Sequence, residues 1–265
     1  MSKGAAERWK SGDVYEPYVG RWSRLVAREF LAWLDAPFEL TWLDVGCGTG
    51  ALTEAIAASC APKLLAGVDP SAGFLDFAQR RLGPLAELRQ GDARHLPFAA
   101  SEFDRVVSGL MLNFVPDQPR AAAELARVAR TGGEVALYVW DYAGNMELMR
   151  HFWDVAAALD PRATELDEGR RFPICRPEPL RRLFEAVGLA AVETRAIDVP
   201  TVFHDFDDYW TPFLGGQAPA PAYCMSLSED ARAKLRERLR ETLPVRPDGS
   251  IHLIARAWAV RARKG

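Results

Sequence analysis

Residues 43–50 read LDVGCGTG: an apolar run, then Gly46, Gly48 and Gly50 at alternate positions, followed by ALTEAIAA. Glycines at such a junction permit a tight strand-to-helix turn and let a ligand approach backbone that a Cβ would shield. The N-terminus of the following helix favours anionic groups. The spacing is GxGxG, whereas the dinucleotide fingerprint is GxGxxG, whose third glycine allows close helix–strand packing behind a pyrophosphate. Here Leu52 fills part of that space. Asp44, two residues before the first glycine, can orient the turn or accept a hydrogen bond from a ligand ammonium. Asp69 ends the next apolar run, 23 residues after Gly46. That is the usual place for a carboxylate that binds both ribose hydroxyls. Asp92, in GDARHLPF, can accept from an exocyclic adenine amino group, with the Ala93 N–H available to the ring. The run SGLMLNFV, from Ser108, can wall one side of a ligand.

These residues need a scaffold, and the pattern around them supplies one. Apolar positions at helical spacing predict a helix over 21–34. Strands are predicted at Leu40–Val45, Lys63–Val68, Ala86–Arg89, Phe103–Ser108 and Glu134–Val139. Between them GALTEAIAASC, SAGFLDFAQRRLG and QPRAAAELARVAR read as helices, the second with Ser71 as N-cap and the third closed by RTGG. Strands alternating with such helices predict an α/β fold with a parallel sheet. Later come a helix at EPLRRLFEAVGL, a strand at AVETRAIDVP, a helix at SEDARAKLRERLRETL and a last strand at SIHLIARAWAV. In that last helix Ala231, Leu235, Leu239 and Leu243 share one face. The expected organisation is one domain over 1–265: a cap segment at 1–35, a cofactor-binding core at 36–140, and inserts at 141–177 and 201–249.

Composition sets bounds on function. A net charge of −3 gives no general electrostatic drive toward nucleic acid. No apolar run approaches the ~20 residues that span a bilayer, and MSKGAAERWKSGD has no apolar secretory core. Cys47, Cys60, Cys175 and Cys224 form no CxxC pair, and the histidines show no ligand spacing, so neither a metal site nor a disulfide framework is expected. The reducing cytoplasm is the default compartment. Abundant Arg and Ala hint at a GC-rich bacterial genome.

The segments LDVGCGTG, GVDPS, GDARHLPF, FDRVVSGLMLNFVPD and RTGGEVALYVW stand in the order found in class I S-adenosylmethionine-dependent methyltransferases, and the chain resembles that family, its small-molecule members in particular, over about 40–140. The resemblance implies a Rossmann-like, doubly wound sheet of seven strands in the order 3-2-1-4-5-7-6, mostly parallel, with a reversed last strand. It implies S-adenosylmethionine as cofactor and S-adenosylhomocysteine as product. Gly46, Cys47 and Gly48, with Asp44, would face the methionine part; Asp69 and Pro70 the ribose; Asp92 and Ala93 the adenine. Ser71 and Phe74 would flank the adenosine, Ser108, Gly109 and Leu110 the methionine end, and Phe114 would also belong to the cofactor site. Tyr15, Tyr18 and Arg21 would close over the cofactor. Taken by itself, Cys47 reads as a small filler of the turn.

Methyl transfer from a sulfonium is an in-line displacement with a neutral leaving group, so alignment in a dry site supplies much of the catalysis. A base is needed only where the nucleophile must lose a proton. His151 and His204, in inserts expected over the carboxyl ends of the strands, are the candidates. Several acceptor classes lack their signatures: the [ND]PP[FYW] run of amino-methylating enzymes, the Pro-Cys of cytosine enzymes, the paired glutamates of arginine enzymes and the Asn-Asp-x-Met of quinone-ring enzymes. The aromatics of the inserts (Trp140, Tyr142, Phe152, Trp153, Phe172, Phe203, Phe206, Tyr209, Trp210, Phe213) point to a small apolar or aromatic acceptor or, equally, to a second small core. A nicotinamide oxidoreductase is disfavoured by the glycine spacing and Asp92. The alternative kept open is an S-adenosylmethionine-binding subunit without transfer activity.

Overall fold

The computed structural model describes residues 19–216 and 218–265. Tyr15 and Tyr18 lie outside the described residues. The chain divides into two compact units: Trp22–Trp140 with Ile174–Ile197 and Ala257–Gly265, and Asp141–Pro173 with Asp198–Arg256 and residues 19–21.

The first unit opens at Trp22 within α1 (Arg21–Leu34), whose Trp22, Val26, Ala27, Phe30 and Leu34 form one buried stripe. β1 (Thr41–Val45), α2 (Ala51–Ser59), β2 (Leu64–Asp69), α3 (Ala72–Leu82) and β3 (Glu87–Gln90) follow in strict alternation. β4 (Phe103–Gly109), α4 (Gln118–Val128), β5 (Ala129–Trp140) and α5 (Pro177–Ala186) continue it. The seven-stranded sheet is completed by β6 (Leu189–Phe203) and β7 (Ile251–Lys264), in the order β3-β2-β1-β4-β5-β7-β6. β1 pairs in parallel with β2 and β4, β2 with β3, and β4 with β5; β7 runs antiparallel to β5. The order and the reversed strand are those the resemblance implies, and the fold is a Rossmann-like α/β sheet. Trp42–Val45 of β1 are all buried, as expected of a central parallel strand covered on both faces.

One boundary departs from expectation. The RTGG stretch does not end the third helix; α4 stops at Val128 and β5 begins at Ala129. The pairing of β4 with β5 shifts register between Phe103 and Arg105, so Arg130–Gly133 form an irregularity within the strand. Gly132 has φ 74°, and a Cβ on Gly133 would lie 2.8 Å from the Arg130 carbonyl oxygen and 3.1 Å from that of Asp104. The glycines serve a bulge rather than a helix cap, which sequence cannot separate because both devices use left-handed glycine.

The second unit is helical, with helices at Glu147–Leu159, Pro219–Ser226 and Glu229–Thr242, and the ends of β6 and β7. Its aromatics pack on one another. Phe152 stacks on Phe213 with centroids 4.5 Å apart and meets Trp153 edge-on at 5.2 Å. Tyr209 contacts Phe203 at 5.3 Å and Phe213 at 5.4 Å, and donates its hydroxyl proton to the Leu148 carbonyl at 3.0 Å. Phe152, Trp153, Phe203, Tyr209 and Phe213 are all fully buried. Leu235, Leu239 and Leu243 bury their shared face. None of the described helices is long and apolar enough to cross a membrane.

Candidate cofactor site

The glycine turn hangs from the neighbouring strand. The N–H groups of Gly46 and Cys47 both donate to the Val68 carbonyl, at 2.7 and 3.1 Å. Gly46, Gly48 and Gly50 have φ of 73°, 54° and 86°. Such angles cost L side chains energy that glycine avoids. The three glycines have different neighbours. A Cβ on Gly46 would fall 2.3 Å from the Met111 Cγ, and one on Gly50 would press on Leu82 at 3.1 Å and Ala78 at 3.3 Å. A Cβ on Gly48 would meet nothing nearer than the Gly46 carbonyl oxygen at 4.0 Å. Gly46 and Gly50 are thus glycine for packing, while Gly48 leaves its face open. Cys47 is buried and packs against Gly67, the filler role read from the sequence.

Asp44 is wholly buried. Its Oδ2 accepts from the Thr53 hydroxyl at 2.7 Å, tying the strand to α2, while its Oδ1 has no hydrogen-bond partner among the described residues. Burial pushes the carboxyl up to about 7. Asp69 is also buried, and burial raises it too. Its Oδ2 accepts from the Gly48 N–H at 3.0 Å and its Oδ1 from the Ser71 N–H at 2.8 Å. One carboxylate therefore braces the turn and the start of α3 at once. Each of its oxygens keeps a second lone pair. Ser71 caps α3, accepting from the Phe74 N–H at 3.3 Å.

A cavity of about 280 Å³ lies beside the turn, lined by Gly46, Val68, Pro70, Gly91, Asp92, Ala93, Arg94, Met111, Phe114, Val115 and Pro116. Arg94 grips Asp92 with Nε and Nη2, and this fork holds the Asp92 carboxyl below its ordinary range. On the β4 side Ser108 is buried and its hydroxyl has no partner. Gly109 lets the Tyr138 hydroxyl in, where a Cβ would lie 2.5 Å away. Leu110 sits at φ 60°, its N–H bonded to the Tyr138 carbonyl at 2.8 Å, and directs the chain into the Leu112–Phe114 turn.

Residues 43–137 match the family model described as a methyltransferase domain. Those residues form a methyltransferase domain. The chain is 33% identical over 147 residues to the biotin biosynthesis bifunctional protein BioHC of Cellvibrio japonicus, covering 55% of this chain and 29% of that protein. It is 38% identical over 130 residues to the demethylmenaquinone methyltransferase of Lactobacillus johnsonii, covering 47% of this chain and 53% of that protein. The chain thus spans about half the length of the latter and less of the former. Among solved structures it is similar to phosphoethanolamine N-methyltransferase 2 of Haemonchus contortus in complex with S-adenosylhomocysteine. That likeness has TM-score 0.59 and 16% identity, over 95% of this chain and 56% of that one. The cofactor expected from the sequence is S-adenosylmethionine, and that Haemonchus contortus neighbour is described with S-adenosylhomocysteine bound. The residues present fit it: an open glycine face, a braced carboxylate, and two buried polar atoms, Asp44 Oδ1 and Ser108 Oγ, that no group among the described residues satisfies.

The methyltransferase domain thus brings together Asp44, Gly46, Cys47, Gly48, Asp69, Pro70, Ser71, Phe74, Asp92, Ala93, Ser108, Gly109, Leu110 and Phe114 in one unit. Arg21, His151 and His204 belong to the other. There Arg21 pairs with Asp208 at 2.9 Å and lies over the Phe203 ring at 4.9 Å. His151 is half-buried on the helix Glu147–Leu159, and burial lowers its pKa. His204 is 91% exposed, its ring 3.1 Å from Asp205, at the rim of a cavity of about 630 Å³ lined also by Arg21, Asp207, Asp208 and Thr211. Sequence reasoning missed Thr53, Met111 and Arg94. Only Arg94 carried a signal, a cation two residues beyond a carboxylate in a turn.

Proposed function

We propose that the protein transfers a methyl group from S-adenosylmethionine to a small molecule, and that the residues around Gly48 hold the cofactor. The observation that carries this reading is the pair of buried, unsatisfied polar atoms, Asp44 Oδ1 and Ser108 Oγ, in the same unit as an open glycine turn. Leaving such atoms without a partner costs about 1–3 kcal/mol each, so a ligand that satisfies them gains affinity. When bound, the cofactor supplies a methyl group activated on a sulfonium. Asp69 takes the ribose hydroxyls with the lone pairs that its two backbone bonds leave free. Asp92 accepts from the purine amino group, and Pro70 and Phe114 cover the ring. Asp44 faces the cationic methionine end. Gly48 leaves room for the close approach that the methyl transfer needs.

The unit of Asp141–Pro173 and Asp198–Arg256 is the proposed source of acceptor specificity. The acceptor proposed is small and apolar or aromatic. Phe172 and Tyr223, half-buried aromatics of this unit, support this. His151, kept neutral by its burial, is the better placed of the two histidines to take a proton; His204 is bathed in solvent. A cytoplasmic, bacterial setting is part of the same reading, supported by the curated bacterial relatives. The test is incubation with methyl-labelled cofactor and fractionated small molecules. Label is expected in an organic-soluble fraction. Tight cofactor binding with no labelled acceptor would support the binding-only alternative instead. Retained turnover after replacing both His151 and His204 with Ala would assign catalysis to alignment alone.

A further inference from the structure

We propose that Arg94 is a positioning residue that makes the purine end of the site selective for a 6-amino purine. The inference rests on the reading that Asp92 accepts from that amino group. An ionised carboxylate offers about four lone-pair positions. Oδ1 of Asp92 spends both of its own on the Arg94 backbone N–H at 2.8 Å and on Nε at 3.0 Å. Oδ2 takes Nη2 at 2.5 Å and is also reached, at 3.1 Å, by the same Nε–H; counted by donor, three N–H groups meet about four positions and one on Oδ2 stays open. The pair is part-exposed, with 37% of the Arg94 side chain and 42% of the Asp92 side chain open, and both residues line the cavity beside Phe114 and Val115. A donor entering that cavity meets a single fixed acceptor rather than a freely turning carboxylate.

The loop holds both partners still. The Gly91 N–H donates to the Asp69 carbonyl at 3.1 Å, and the His95 N–H to the Asp92 carbonyl at 2.9 Å. Arg120 Nε donates to the Arg94 carbonyl at 3.1 Å. Glu124 accepts from the Leu96 N–H at 2.8 Å, and Arg127 donates to the Leu96 carbonyl at 3.1 Å. Arg94 also holds the Asp92 carboxyl below its ordinary range. Its grip thus fixes the direction of the acceptor.

The test is calorimetric binding to the full chain of two ligands: S-adenosylhomocysteine and its analogue lacking the purine 6-amino group. Wild type is expected to prefer the amino-bearing ligand by about tenfold, the effect of one charge-assisted hydrogen bond. Arg94→Ala should weaken the amino-bearing ligand by about tenfold while leaving the analogue unchanged, so that the preference collapses. Arg94→Lys should restore part of it, because an ammonium can hold one oxygen. Equal weakening of both ligands by Arg94→Ala, or a preference that survives it, would overturn the role of Arg94 alone. Equal binding of the two ligands by wild type, with Asp92→Asn silent, would overturn the assignment of Asp92 and this inference with it.

Discussion

The glycine turn and the aromatic cluster of Asp141–Pro173 and Asp198–Arg256 use their conspicuous residues in opposite ways. Around the turn, polar groups are held rigid yet keep bonding capacity in reserve: Asp69 braces two N–H groups, and Asp44 leaves one buried oxygen unmatched. In the aromatic cluster the rings spend their surface on one another, with Phe152 between Phe213 and Trp153 and Tyr209 bonded to the backbone. Reserve capacity marks a place built to receive something, whereas mutual burial marks a place built to stay folded.

The comparison can be broken most sharply at Gly48. Its Cβ has room within the protein, and its left-handed φ costs an L residue roughly 1–2 kcal/mol. Gly48→Val is expected to fold yet lose cofactor binding by more than about a hundredfold by calorimetry, on the order of 3 kcal/mol. Normal binding would remove the turn from the site. On the other side, Phe152→Ala should destabilise the protein by about 3–5 kcal/mol in denaturant unfolding, with cofactor affinity changed less than about twofold. A large change in affinity without a loss of stability would make the aromatic cluster a binding surface.

Asp44 gives a smaller and pH-dependent effect. Its carboxyl binds a proton more tightly when folded, near 7, than when unfolded, near 4. Its contribution to stability is therefore greatest in acid, falls as pH rises through that interval, and is level above it. Asp44→Asn should flatten the decline between pH 5 and 8 by roughly 1–3 kcal/mol relative to wild type. Parallel profiles for the two proteins would show that the carboxylate is already satisfied. The smallest effect is expected at His204, 91% exposed, where Ala should shift stability by less than about 0.5 kcal/mol.

Much of this was legible in the sequence because it is local. A glycine that must adopt positive φ, a carboxylate that ends a strand, and a serine that caps a helix are each decided within a few residues. The predicted helix over 21–34 is α1 to the residue, and Ser71 caps α3 as read. The RTGG bulge was misread because its meaning depends on β4, about thirty residues away in the chain. Thr53 and Met111 were invisible for the same reason: their partners, Asp44 and Gly46, are found only by folding.

The sequence by itself determined the strand and helix alternation and the short list of carboxylates and glycines proposed to meet the methyl donor, because backbone conformation and acceptor chemistry are properties of single residues and their near neighbours. Only the tertiary structure decided which glycine is open and which is packed, which carboxylate oxygens are already engaged, and whether an aromatic ring is surface or core. Those depend on what other strands and helices bring within van der Waals or hydrogen-bond reach, and no spacing along the chain encodes that directly.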